Sequence, residues 1–324
     1  MSWRAAWLAL LLTPPSLPQN PAQPQQESLP SISVDVNVVN VLFTVRDRKG
    51  ALITNLTKDD VQVLEDGKPQ TIKTFTRETD LPLTIGMLVD VSRSQQNLID
   101  VERRAASQFF QQVLRQKDMA FLISFGADAE LLQDLTGSVK LLQRALGELR
   151  LSVAVVPPSI AGPGPVPTSS RPRGTILYDA VYLAATEKLQ GEVGRKVMVV
   201  ISDGGDQGSR ITREQAIAAA HRADAIIYSI YYVDPYFGRR FGYSGDEGAL
   251  RKLSEETGGR VFRVDKKHTL EEIFEELNAE MRSQYALTYT PTNSARDGSF
   301  RRIEIQTRDR NLKVQARRGY YAPK

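Results

Sequence analysis

The sequence predicts an α/β fold: a doubly wound, mostly parallel, Rossmann-like sheet, flanked by a β-sandwich-like domain built from strands at the two ends of the chain. Three observations lead there. From Thr84 to Tyr285 short apolar runs alternate with amphipathic stretches, the pattern of strands buried on both faces and wrapped by helices. Before this region, and again after it, residues follow the period-two alternation of half-buried strands. Neither end holds enough strand to close a sandwich alone, so the two are expected to pair, with the α/β portion inserted between them.

Taken in order, Met1–Leu12 carries one positive charge, Arg4, followed by the apolar run Ala5–Leu12. That run has the size of a signal-peptide core and is too short to span a bilayer. Pro14–Pro30 is rich in Pro and Gln and reads as a tether. We therefore divide the chain into residues 1–26 (signal peptide and start of linker), 27–80 (N-terminal β segment), 81–285 (α/β domain) and 286–324 (C-terminal β segment). The chain contains no cysteine, which excludes disulfides and an N-terminal lipid-anchored cysteine. The combination points to a bacterial exported protein, periplasmic, on the cell surface or extracellular, with no membrane span in the mature chain.

Within the N-terminal segment Val34, Val36 and Val38 alternate with polar residues, and Val39, Val41, Phe43 and Val45 continue in the shifted phase, as a bulge or strand break produces. Asp66-Gly67 is expected to turn between Val61-Gln62-Val63 and Gln70-Thr71-Ile72. The buried strands of the central region are Thr84–Val89, Met119–Phe125, Val197–Ile201 and Ala225–Val233. Ala105, Ala106, Phe109, Phe110 and Val113 mark one helix, and Leu270, Ile273, Phe274, Leu277, Met281 and Tyr285 the last. Thr212 with Gln215 and Thr269 with Glu272 fit the capping box, and Gly258-Gly259 is a stop signal. Beyond the last helix, Tyr285–Tyr289, Phe300–Gln306 and Leu312–Tyr321 look extended.

The net charge is +4, yet Arg296–Lys324 holds nine Lys or Arg against three Asp or Glu. Clustered cations can bind phosphates by releasing counterions. Here they share positions with strand residues, as in Arg301-Arg302-Ile303-Glu304-Ile305-Gln306, so they form the solvated face of a sheet and no nucleic acid is implied.

Chemistry concentrates where the first buried strand ends. Asp90-Val91-Ser92-Arg93-Ser94 lies there, Thr175 opens a helix in Gly174-Thr175-Ile176-Leu177, and Asp203 follows the strand ending Ile201-Ser202. Open α/β sheets place their working sites at the carboxyl ends of strands. Three hydroxyls and two carboxylates there suit a hard divalent cation, which takes oxygen ligands. Singly, each residue has a plainer role: Ser92 and Ser94 as helix caps, Asp90 as a turn cap, Asp203-Gly204-Gly205 as a tight loop.

Together, Asp90-Val91-Ser92-Arg93-Ser94, Thr175 and Asp203 resemble the metal-ion-dependent adhesion site (MIDAS) of the von Willebrand factor A family, over roughly residues 82–285. Leu56-Thr57-Lys58-Asp59-Asp60 and Arg318-Gly319-Tyr320-Tyr321 are similar to a group of exported bacterial relatives of that family, many of them acidobacterial. The resemblance implies that Ser92, Ser94 and Thr175 contact the ion through hydroxyls while Asp90 and Asp203 act largely through bound water. It implies Mg²⁺, with Mn²⁺ or Ca²⁺ as alternatives, and a protein ligand that presents Asp or Glu to the remaining coordination position. It also implies a last helix that responds to occupancy.

Two loops are candidates for partner choice. Leu151–Arg173 is a Pro- and Gly-rich insertion ending just before Thr175, whose plainer reading is disordered filler. Tyr236, Phe237, Arg239, Arg240, Phe241 and Tyr243 follow the strand Ala225–Val233 on the side of the metal residues and are of the types that concentrate interface energy. Their plainer role is local packing beneath the loop.

An enzyme is the rival reading. A strand-ending aspartate with Mg²⁺ also resembles the haloacid-dehalogenase phosphatases, which need a second aspartate two positions on, where this chain has Ser92. A hydroxyl there removes the general acid. His221 and His268 lack partner patterns, and no stretch ends in the Gly-Lys-Ser/Thr of a phosphate loop. A structural module with an unused metal site is the third reading, weighed against a complete donor set.

Overall fold

A computed structural model describes residues 38–78, 81–152, 174–237 and 245–324. In chain order these form β1 (Val39–Arg46), β2 (Val61–Glu65), β3 (Lys68–Gln70), β4 (Ile72–Glu78), β5 (Leu83–Asp90), α1 (Ile99–Val113), β6 (Met119–Phe125), β7 (Ala129–Thr136) and α2 (Val139–Gly147). There follow α3 (Leu177–Leu183), β8 (Arg195–Ser202), α4 (Arg213–Arg222), β9 (Ala225–Tyr231), α5 (Glu247–Thr257), β10 (Val261–Arg263), α6 (Leu270–Met281), β11 (Gln284–Tyr289), β12 (Phe300–Thr307), β13 (Lys313–Ala316) and β14 (Gly319–Tyr321).

The central sheet has the order β10-β9-β8-β5-β6-β7. All pairs are parallel except β6–β7. All eight residues of β5 and of β8 are buried, which explains why their sequences are continuous rather than alternating. One face is covered by α1, α2 and α6 and the other by α3, α4 and α5, each with its own apolar cluster. The chain runs from β5 to β6 on one side and later places β8 on the other. The direction of winding therefore reverses between β5 and β8, and a crevice opens at their carboxyl ends.

The strands at the two ends of the chain pair with one another. One antiparallel sheet is β13-β1-β11-β4 and a second is β14-β12-β2-β3. Their inner faces share one core that includes Val41, Phe43, Val63, Tyr285, Leu287, Tyr289, Ile303 and Ile305. Tyr285 stacks on Phe43 at 5.3 Å between ring centroids, and its hydroxyl donates to the Ile53 carbonyl at 3.1 Å while accepting from the Leu56 N–H at 2.9 Å. Glu65, buried in this core, accepts from the hydroxyls of Tyr289 (2.8 Å) and Tyr320 (3.0 Å).

Local signals act as expected. Asp66 (φ 48°) and Gly67 (φ 77°) make the two-residue turn between β2 and β3, with Glu65 opposite Lys68. Thr212 and Thr269 cap α4 and α6 through reciprocal bonds with Gln215 and Glu272, and Gly258 ends α5 in the left-handed region at φ 94°.

Several expectations are corrected. Leu312–Tyr321 is not one strand: β13 pairs with β1 and β14 with β12, in different sheets. The crossing works because Gly319 presses on β12, where a Cβ would meet the Arg301 carbonyl at 2.2 Å. The last helix stops at Met281, and Tyr285 faces the sandwich core from β11. Ile72 begins β4 rather than continuing the hairpin. The edge strand β7 lacks a clean alternation because bulges shift its register on β6. Val34 and Val36 lie outside the described residues.

A buried ionic knot ties α6 to the sandwich. The Glu280 side chain is fully buried and accepts from Arg46 of β1, from Arg260 Nε at 2.9 Å and from Gln315 Nε2 of β13 at 2.7 Å. Glu276, one helical turn earlier, also pairs with Arg260. Among the described residues no helix is long and apolar enough to cross a membrane.

Candidate metal centre

The crevice between β5 and β8 is where the polar side chains collect. Asp90, the last residue of β5, is fully buried. Its Oδ1 accepts from the Ser92 N–H at 2.9 Å, which folds the chain back over the strand end, and its Oδ2 accepts from the Ser202 hydroxyl at 2.6 Å. Ser202 in turn accepts from the Gly204 N–H at 2.9 Å. The hydroxyl oxygens of Ser92 and Ser94 lie 3.0 Å apart, and Ser94 donates to Asp203 Oδ2 at 2.5 Å. Asp203 Oδ1 accepts from the Gly205 N–H at 3.0 Å.

The backbone brings Thr175 to the same rim. Its carbonyl accepts from the Gln207 and Gly208 N–H groups at 2.9 and 3.1 Å, in the loop that follows Asp203. The Ile176 N–H donates to the Gly126 carbonyl at 2.9 Å, just past the end of β6. Thr175 itself is half-buried. Asp90, Ser92, Ser94 and Asp203 thus form one hydrogen-bonded cluster, and Thr175 is stitched into the loops that border it.

Two glycines make room for the Asp203 loop. Gly204 (φ 81°) and Gly245 (φ 66°) sit where the loop after β8 crosses the one leading to α5. The Asp246 N–H donates to the Asp203 carbonyl at 2.8 Å across this contact. A Cβ on Gly204 would meet the Asp246 carbonyl at 2.1 Å, and one on Gly245 the Asp203 carbonyl at 2.4 Å.

The plainer roles hold only in part. Asp90 and Asp203 do cap their own turns, but neither Ser92 nor Leu98, which precede the helical turn at Arg93–Gln95 and α1, makes a side-chain capping bond. The serine hydroxyls turn instead toward each other and toward Asp203.

Negative charge is concentrated here. Burial, and then the charge of Asp203, push the Asp90 carboxyl up to about 7 against its hydrogen bonds from Ser202 and Ser92. Glu102, fully buried on α1, is raised well above the usual carboxylate range by burial and by Asp90 and Asp203. The side-chain and backbone groups that touch Asp90 are neutral. A bound cation would relieve this repulsion, and the mixture of hydroxyls and carboxylates fits a hard divalent ion. No cluster of three or more His, Cys, Asp or Glu suited to a metal occurs among the described residues, so a centre here depends on its hydroxyls.

Sequence reasoning missed Ser202, which donates to Asp90, and two fully buried polar side chains in the segment after Ser94, Gln95 and Glu102. Glu102 had a signal: it lies in phase with Ile99, Ala105, Ala106 and Phe109, the inward stripe of α1, where a charge is out of place.

Of the candidate partner contacts, Tyr236 is 56% exposed and Phe237 half-buried. The Tyr236 N–H donates to Asp234 at 2.8 Å, and Asp234 accepts from Asn97 at 2.6 Å, which ties this loop to the segment between Ser94 and α1. Arg239, Arg240, Phe241 and Tyr243 lie outside the described residues. So does most of the Leu151–Arg173 insertion, which the chain enters at the rim, where the Ser152 N–H donates to the Val91 carbonyl at 2.7 Å.

A parallel sheet wound outward in both directions from β5 and β8, with an Asp-x-Ser-x-Ser turn on one and an Asp after the other, decides the fold type. The central domain is von Willebrand factor A-like in fold. No family model matches the sequence, and no curated protein matches it. Solved structures do match. An aerotolerance-related membrane protein from Bacteroides fragilis is 16% identical, with 61% of this chain aligned to 98% of that one and a TM-score of 0.44. Proximal thread matrix protein 1 from the mussel byssus, in a form with a zinc-occupied MIDAS motif, is 14% identical over 65% of this chain, with a TM-score of 0.48. This chain spans about half the length of the mussel protein (49%). The VWA domain of SpRpn10 is 14% identical over 61% of this chain and 95% of its own length, with a TM-score of 0.39.

Proposed function

We propose that the central domain is a non-enzymatic, metal-dependent protein-binding module of the adhesion type. The observation that carries the reading is the Ser92–Ser94–Asp203 cluster at the carboxyl ends of β5 and β8, with buried Asp90 beneath it. Ser92, Ser94 and Thr175 would offer hydroxyl oxygens to a divalent cation, Mg²⁺ before Mn²⁺ or Ca²⁺, while Asp90 and Asp203 hold its water. Mg²⁺ keeps several waters and is satisfied by few protein ligands. Neutral donors leave most of the ion's charge uncompensated, so the bound ion supplies a Lewis-acidic position that attracts an Asp or Glu of a partner. Such binding needs no proton transfer, which suits a site whose strand-ending aspartate is followed two positions later by a serine.

The face around the ion would include Tyr236 and Phe237, with Arg239, Arg240, Phe241 and Tyr243 beyond them. We assign this role to residues 81–285, with 27–80 and 286–324 forming a supporting β-domain on an exported chain. The test is affinity capture with immobilised wild type and Asp203→Ala, in Mg²⁺ and in EDTA. A protein held only by metal-loaded wild type, and released by a soluble glutamate-rich peptide, is the expected result. Retention that ignores both EDTA and the substitution would overturn the reading, as would Mg²⁺-dependent hydrolysis of an aryl phosphate.

A further inference from the structure

Among the described residues Glu102 is the least explained buried group. It lies in the first turn of α1 with no exposed surface, and neither carboxylate oxygen has a hydrogen-bond partner among the described residues. The Oε1 of Gln95, also fully buried, is likewise without a donor, although its Nε2 donates to the Tyr232 carbonyl at 3.2 Å. A buried carboxyl left without donors costs several kcal/mol in general terms, so an inward Glu in place of an apolar residue needs a compensating group. The charges that act on it are those of Asp90 and Asp203. Backbone hydrogen bonds carry α1 straight on from the Ser92–Ser94 turn: the Gln95 N–H donates to the Ser92 carbonyl (2.9 Å), the Leu98 N–H to the Gln95 carbonyl (2.8 Å) and the Glu102 N–H to the Leu98 carbonyl (2.9 Å), so the buried carboxyl belongs to the first helical turn after that loop.

Once Glu102 is ionised, as a nearby cation favours, the orphaned atoms share one character: all are acceptors. Water bound to a cation has the complementary character, since its lone pairs face the ion and its hydrogens point outward. We infer that Glu102 is a positioning residue of the metal centre, its buried carboxylate accepting from cation-bound water and adding a third negative charge beneath the ion. The positive end of the α1 dipole favours a negative charge in the helix's first turn, where Glu102 lies. This inference rests on the reading of the crevice as a cation centre.

The test uses the full chain and Mn²⁺ as probe, with free Mn²⁺ measured by electron paramagnetic resonance. Glu102→Gln, which keeps shape and removes charge, is expected to weaken Mn²⁺ binding tenfold to a hundredfold, the range typical of groups that orient a metal's ligands. Its melting temperature in EDTA is expected to equal or exceed that of wild type, because a repelled buried acid has been removed. Glu102→Asp should recover part of the affinity. A merely structural Glu102 would show the opposite pattern, a lower melting temperature in EDTA with unchanged Mn²⁺ affinity, and that result overturns the inference. Unchanged affinity in Glu102→Gln alone also overturns it while leaving the centre intact. Absence of Mn²⁺ uptake by wild type would instead remove the centre and, with it, this role.

Discussion

Substituting Glu280 by Ala tests whether the ionic knot beneath α6 holds the two parts of the chain together. The Glu280 carboxylate is fully buried, while the side chains of Arg46 and Arg260 are 12% and 26% exposed. Removing one partner of a buried pair generally costs about 3–5 kcal/mol, because the remaining charge is left uncompensated. Here Glu276 stays within reach of both guanidiniums, at 3.5 Å from Arg46 and in direct contact with Arg260. The loss should therefore fall at the lower end, about 3 kcal/mol. For a folded unit of this size that corresponds to a fall in melting temperature of roughly 5–6 °C. Urea denaturation followed by circular dichroism gives the free energy directly. A loss below about 1 kcal/mol, the value of an exposed surface pair, would refute the claim that these charges act in a desolvated setting. Glu280→Gln, which still accepts from one arginine and from Gln315, should lose less than Glu280→Ala.

Three further outcomes follow from the same kind of reasoning. His221 on α4 is held down to about 4, from 6.5, first by burial and then by Arg317. The unfolded chain therefore takes up a proton that the folded chain refuses. Stability is unaffected above pH 6.5 and should fall by up to about 3 kcal/mol as pH drops from 6.5 to 4, and a His221→Gln variant whose pH profile retained that slope would contradict this. Gly245→Ala should misplace the Asp203 loop, since the new Cβ meets the Asp203 carbonyl at 2.4 Å and φ is positive; calorimetry is expected to show weaker Mg²⁺ uptake than wild type together with a stability loss of about 1–3 kcal/mol. Thr269→Ala removes the hydroxyl that accepts from the Glu272 N–H, leaving the Glu272 carboxylate on the residue-269 N–H, and should cost about 1 kcal/mol, measured by thermal melting.

How much of this was legible from residues alone depends on how far apart the interacting groups lie. Short-range chemistry reads directly: the Asp66-Gly67 turn, the Thr212 and Thr269 caps and the buried run of β5 each depend on residues a few positions apart. The antiparallel edge β7 was not legible, because its bulged pairing leaves neither a period of two nor a continuous apolar run. Arg195 opens β8 fully buried by donating to the carbonyls of Met281 and Leu81, contacts that no local pattern announces. Glu280 and Arg46 are 234 positions apart, so the knot between the two parts of the chain exists only in three dimensions.

The site divides along the same line. Asp90, Ser92 and Ser94 form a local turn, and Asp203 could be placed because the end of a buried strand is recognisable. Ser202, by contrast, looked like the last residue of a strand, yet it donates to Asp90 across the crevice. Glu102 is one charge among several on α1, and only its phase with Ile99, Ala105 and Phe109 marks it as inward.

The most direct measurement is anomalous X-ray scattering from crystals of the full chain soaked in Mn²⁺. The account predicts a peak at the carboxyl ends of β5 and β8, bonded to the hydroxyl oxygens of Ser92 and Ser94 at about 2.0–2.2 Å and absent from Ser94→Ala crystals. Mn²⁺ bound elsewhere with these hydroxyls bare, or no peak under conditions that saturate exposed carboxylates, would contradict it.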